Sequence, residues 1–160
     1  MSRLRRVHPY TAAIHEAGHA VAVWKIGRKI APTSITMISI VRHEDRAGRV
    51  EWISGEGLHP DFRNVVALAG PYAQARHLKK STLRTLLRSG DLNNFIPDGD
   101  DHAYFWKILN ISRTVIRKHW HYVRALADHL YQHRIMEGGE AEDFLDDFAS
   151  RPCVDMVSTS

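Results

Sequence analysis

A single cysteine, Cys153, stands in 160 residues. That excludes an internal disulfide and a thiolate zinc cluster, and is compatible with a reducing, cytoplasmic setting. No apolar run approaches the ~20 residues that a membrane-spanning helix needs. The basic start, MSRLRRVHPYTAA, is not followed by the apolar core of a signal peptide, because His15, Glu16 and His19 break the stretch behind it. A phosphate-binding GxxxxGK step followed by Ser or Thr is missing, and so is a GxSxG nucleophile elbow. Paired carboxylates of the glycosidase type and internal repeats are lacking as well. These absences leave a soluble, unexported chain, with one domain expected over residues 1–150 and a frayed tail over 151–160.

What is present is mildly basic and unevenly charged. The formal net charge is +4. Arg76, Lys79, Lys80, Arg84 and Arg88 make the middle basic, whereas Glu137, Glu140, Glu142, Asp143, Asp146 and Asp147 make the end acidic. A solvated face is the default reading of such a basic run, so a nucleic-acid partner is not expected.

Helical spacing runs from about Pro9 to Ile26. Pro9 suits a first turn, Thr11 could cap, Gly27 supplies a stop, and Ile14, Ala17, Val21 and Trp24 form one apolar stripe. TSITMISIV and RVEWIS read as a hairpin joined by the polar RHEDRAG. Pro60 and Asp61 open a second helix, DFRNVVALAGPYAQARHLKK, in which Pro71 predicts a kink near Gly70. A short helix over 81–88 is followed by SGDLNNFIPDGDD, a loop by composition. One long amphipathic helix is expected from Asp101 until Gly138 and Gly139 end it, with a short acidic helix, EAEDFLDDFA, behind. The fold class is α+β, mostly α-helical, with a small β-hairpin.

The chemistry is concentrated in HEAGH, residues 15–19. Residues four apart lie on one face of a helix, so His15 and His19 can aim their imidazoles at one point and bind zinc. Glu16 then flanks the metal, where it can reach a bound water instead of ligating. Zinc lowers the pKa of such a water from about 15.7 to about 7. The carboxylate takes that proton and can return it to the departing amine. Gly18 costs ~1 kcal/mol of helix propensity relative to Ala, which predicts another backbone passing close by.

A catalytic zinc keeps three protein ligands and one open position. The extended HExxHxxGxxH form fails, since Ala22 and Lys25 stand at its Gly and His positions. Glu142 with Asp146 matches an ExxxD pattern in the acidic helix. The loop PDGDDHAYFW offers Asp98, Asp100 and Asp101 immediately before a helix.

In several blocks the chain resembles the peptidase domain of FtsH-type ATP-dependent zinc metalloproteases. HEAGHA (15–20) is similar to that family's zinc motif, and ITMISI (35–40) with AGRVEW (47–52) to its strand pair. VVALAGPYAQARHL (65–78) resembles its second helix, and GDDHAYFWKIL (99–109) the block carrying its third ligand. Together the blocks cover roughly residues 10 to 110. The resemblance implies a helical zincin-like peptidase domain with a small hairpin and edge-strand sheet. It implies Zn2+ bound by His15, His19 and an Asp, with Glu16 as the base. That Asp maps onto Asp101, with Asp100 as runner-up. The usual Arg and paired acids after the Gly are replaced by Pro71, Tyr72, Ala73, Gln74 and Ala75.

The ATPase module and membrane anchor of the full-length enzymes have no counterpart in these residues. The expected substrates are therefore peptides or unfolded protein segments, with room for a separate ATPase or adaptor chain and for an oligomer. RVEWIS (49–54) is a candidate substrate-pairing edge, with Trp52 or Glu51 alternately facing the cleft. The competing expectation is a catalytically silent, zinc-containing binding or regulatory module, engaging a protein or a nucleic acid through the basic middle. His129 and His133, four apart with no Glu between them, read as a surface or partly packed pair, and Trp106, Trp120, Tyr122 and Leu126 as core or interface side chains.

Overall fold

The computed structural model describes residues 7–30, 33–42, 47–55, 58–98 and 102–151. Pro9 opens helix α1 (Pro9–Ala22), as its fixed φ favours, but the cap is His8, not Thr11. His8 Nδ1 accepts from Tyr10 N at 3.2 Å, and Thr11 is buried inside the helix. Alanines and glycine on nearly every side let α1 run through the middle of the molecule. Ala13, Ile14, Ala17, Ala20 and Val21 are all fully buried. The helix widens into a π-helical turn, Val23–Gly27, before it ends.

Helix α2 (Pro60–Leu78) lies across α1, with His59 as its cap and Pro60 in its first turn. The two backbones meet at Gly18. A Cβ there would stand 2.7 Å from Ala73 Cβ, 3.0 Å from Ala69 O and 3.1 Å from Gly70 Cα, so the close approach expected of Gly18 is present. Pro71 sits inside α2, and the helix continues through it.

Helix α3 (Thr82–Arg88) is capped by Ser81. The long helix expected beyond it is two: α4 (His102–Lys118) and α5 (Trp120–His133), broken at His119, which has φ −112° and ψ 24°. The break lets each half bury its own stripe. Ile108, Leu109, Ser112 and Ile116 are the buried residues of α4, which packs on α2. Val123, Leu126, Ala127 and Leu130 are those of α5, which packs on α1. Trp120 and Tyr122 are half-buried against this core, while Trp106 is 45% exposed.

The hairpin strands are β1 (Thr33–Ser39) and β2 (Arg49–Ser54), antiparallel, with Ile35 opposite Trp52 and Ile38 opposite Val50. RVEWIS is therefore a strand over the expected residues. A third strand that the sequence did not announce, β3 (Ile135–Glu137), pairs with the other side of β1, giving the order β2-β1-β3 and leaving β2 at an edge. The acidic helix is α6 (Glu140–Ser150). Its Asp146 accepts from both guanidinium nitrogens of Arg28, at 2.7 and 2.8 Å, and from Trp24 Nε1 at 3.0 Å. Glu142 accepts from Ser34 Oγ and from the Ile35 amide, each at 3.3 Å, so the ExxxD pair braces α6 against the sheet and the end of α1.

The architecture is thus mostly helical α+β, six helices and a three-stranded antiparallel sheet among the described residues. Apolar packing falls into two clusters. The larger surrounds α1, and the smaller joins Val65, Leu68, Leu86, Ile108 and Leu109, with Leu92 and Phe95 packed against it. No helix among the described residues is long and apolar enough to cross a membrane. Beyond Arg151 the expected tail lies outside the described residues.

Candidate metal centre

One turn of α1 brings His15 Nε2 within 3.1 Å of His19 Nε2, as the spacing of four requires. Each ring is oriented from behind by α2. His19 Nδ1 stands 2.7 Å from the backbone carbonyl oxygen of Val66, and His15 Nδ1 stands 2.7 Å from Gln74 Oε1. Both partners are oxygens that only accept, so both Nδ1 atoms carry a ring hydrogen, which leaves Nε2 of each neutral ring as the atom that could ligate. Metal-ligating histidines are held in this way, by a second partner on the ring nitrogen that does not ligate.

The third group is Asp91. Its Oδ2 lies 3.0 Å from His15 Nε2, and its Oδ1 lies 3.6 Å from His19 Nε2. It sits on a 3-10 turn, Gly90–Asn94, that follows α3. Leu92 and Phe95 pin this segment to the smaller apolar cluster. The buried Asn64 of α2 clamps its far end, donating to Ile96 O at 2.7 Å and accepting from Ile96 N at 2.7 Å.

Ligand atoms of the three side chains all lie within 4.8 Å of one another. Tetrahedral zinc with ligands at about 2.1 Å separates them by about 3.4 Å. The two Nε2 atoms stand 3.1 Å apart, and the contacts of 3.0 and 3.6 Å from them run to the two different oxygens of Asp91, all close to that value. Two imidazole nitrogens and a carboxylate converging on one point could hold a metal ion, and the donor set suits a borderline-soft divalent metal.

Protonation follows the same logic. Burial alone would lower the pKa of His19. The hydrogen bond and charge of Asp91 outweigh it, with smaller contributions from the charge of Glu16 and the Val66 carbonyl, and raise it to about 9. Burial alone would raise the Asp91 carboxyl, but the hydrogen bonds and charges of His15 and His19 hold it well below the usual carboxylate range. Both shifts express one demand, for positive charge at the point where the three side chains meet.

Glu16 is 6% exposed and projects toward the sheet, beneath Gly48. A Cβ at Gly48 would come within 2.7 Å of Glu16 Oε1 and 2.7 Å of Ser39 O, so only glycine lets the approach to β2 pass over this carboxylate. Gly70 plays the same part for His19, since a Cβ there would lie 2.3 Å from Nε2 and 2.6 Å from Cδ2. Gly70→Ala should gain about 1 kcal/mol of helix propensity. It should nevertheless weaken metal binding by about tenfold or more, because the ring must leave its seat. Chelator competition reads the affinity and circular dichroism the fold; unaltered affinity would show that the ring position is immaterial.

The structure thus brings His15 and His19 together with Asp91, while Glu16 lies beside Gly48. Asp101 and Asp100, expected to supply the third carboxylate, lie outside the described residues. Asp98 is exposed, and Glu142 is engaged at the sheet. Sequence reasoning passed over Asp91, Gln74 and Val66. The available signal for Asp91 is a Gly-Asp step immediately behind a short helix, within a stretch that composition marks only as a loop. His129 and His133 stack at 4.1 Å, with His133 exposed and His129 half-buried against Phe144, as expected of a surface or partly packed pair. No family model matches the chain, and no curated protein matches it.

Proposed function

We propose that the chain is a zinc-dependent metallopeptidase that hydrolyses peptide bonds of unfolded or peptide substrates, built as a helical zincin-like domain. One observation carries the reading: His15 Nε2, His19 Nε2 and Asp91 converge as three electron-pair donors, with the Nδ1 hydrogens already committed elsewhere. Asp91 takes the third-ligand role that was expected of Asp101. Zinc held there supplies a Lewis acid and a water acidified to a pKa of about 7.

The protein's own residues do the rest. Glu16 lies one position from His15, close enough for its charge to act on His19. It accepts the proton of the attacking water and returns it to the amine nitrogen as the C–N bond breaks. Gln74 and the Val66 carbonyl hold the two imidazoles in a single tautomer. Strand β2 begins beside Gly48, over Glu16, and its outer edge is unpaired among the described strands. Trp52 is turned inward onto Phe62 at 5.3 Å, whereas Arg49, Glu51 and Ile53 are exposed. An extended substrate pairs with that edge through main-chain hydrogen bonds that are indifferent to sequence. With no P-loop in the 160 residues, substrates are peptides, segments already unfolded, or segments delivered by a separate ATPase or adaptor chain.

Elemental analysis of untagged protein should find about one zinc per chain. A peptide library should be cleaved, with cleavage abolished by chelator and restored by zinc. Zinc without hydrolysis would overturn the peptidase reading in favour of a silent zinc-containing module. No metal after reconstitution would overturn both.

A further inference from the structure

Five cations gather on the face of α2 turned away from the metal centre. Arg76 and Lys79 at the end of α2, Lys80 just beyond it, and Arg113 and Arg117 of α4 line a surface cleft of about 380 Å³, together with the hydroxyl-bearing Thr82. Among the described residues no carboxylate lines it, and none of the five makes an ion pair. Like charges converging without a counter-charge repel one another, and two further features hold them there. The guanidinium of Arg76 lies over the Trp120 ring, 4.8 Å from its centroid, and that of Arg113 lies 5.8 Å from the centroid of Tyr72. Stacking of this kind orients the forked donors before any ligand arrives. Lys79 occupies the left-handed helix-terminating position, at φ 52°, where glycine is favoured, so a lysine is kept at a backbone cost.

We propose that this cleft binds a compact polyphosphate anion, a pyrophosphate or triphosphate group, free or carried on a nucleotide. The guanidinium forks match phosphate oxygens bidentately, the lysines add point charges, and Thr82 offers a hydroxyl. The volume falls in the range of small-ligand sites. A nucleic-acid backbone spreads its charge along a track, whereas these cations surround a single cleft. The site is independent of the peptidase reading, since none of its residues reaches the metal ligands.

Titration calorimetry at fixed salt tests it, with inorganic pyrophosphate, tripolyphosphate, ATP, orthophosphate and a random-sequence oligonucleotide as probes. Polyphosphates also chelate zinc, so each titration is run on the wild type and on His15→Ala. The expected result is one polyphosphate per chain in both proteins, weakened about tenfold or more in Lys79→Gln/Arg117→Gln and by orthophosphate in place of polyphosphate. Equal affinity of ATP and tripolyphosphate assigns the site to the phosphates alone, and tighter ATP adds a contact to the nucleoside. Both side chains are exposed, so the double variant should melt with the wild type. Three results would overturn the proposal: no binding to a folded wild type, affinity unchanged in the double variant, or preference for the oligonucleotide that grows with its length.

Discussion

Glu16→Gln should leave the fold and the bound zinc intact and lower the rate of peptide hydrolysis by about 10²- to 10⁴-fold, the usual contribution of a positioned general base. The substitution is close to isosteric, so the side chain still fits beneath Gly48 and between α1 and the sheet. What it removes is the ability to take a proton, since an amide oxygen is far too weak a base. Glu16 is not among the three groups that converge on the metal point, so zinc content should stay at about one per chain. Parallel measurement of zinc and of turnover separates this outcome from simple metal loss. Full activity in the variant would remove Glu16 from the chemistry and the HExxH reading with it. Rates that fall together with zinc content would instead place Glu16 among the ligands.

Asp91→Ala should abolish stoichiometric zinc, while Asp101→Ala should keep it. A four-ligand structural zinc site is worth about 10–16 kcal/mol, or about 3 kcal/mol per ligand, so losing one costs about 10²-fold in affinity. The loss is sharpened here because Asp91 supplies the only carboxylate that, among the described residues, touches both imidazoles. Chelator competition gives the affinity, and melting in the presence of zinc gives a second readout. A ligand held at about 100 times its Kd stabilises the folded protein by about 2.7 kcal/mol, and Asp91→Ala should forfeit that increment. Zinc retained in Asp91→Ala but lost in Asp101→Ala would restore the sequence assignment and leave Asp91 as a neighbour of the site.

These two variants probe two kinds of information. The positions of His15, Glu16 and His19 are local: once α1 is helical, its pitch alone places the two imidazoles one above the other and turns the glutamate aside. Gly18 belongs with them, since a glycine inside an apolar helix already implies a neighbour at close range. So does the hairpin, whose alternation and turn lie within one stretch of chain, and so does α6, set off by Gly138 and Gly139.

Asp91 has no such local signature. It becomes a partner of His15 only because α3 closes back on α2, Asn64 grips Ile96 and Leu92 settles into the smaller apolar cluster. Gln74 and Val66 come to the histidines from 59 and 47 residues away. The third strand and the break at His119 are of the same kind. Ile135–Glu137 is too short to show a period, and it becomes a strand because β1 offers an unpaired edge beside it. The break is set by two helix stripes that must face different partners. The sequence by itself therefore determined the mostly helical α+β class and half of a candidate metal centre, because helical and strand periodicities act over a few residues. The completion of that centre was decided by tertiary packing, since which distant carboxylate reaches a pair of histidines depends on how the helices between them close.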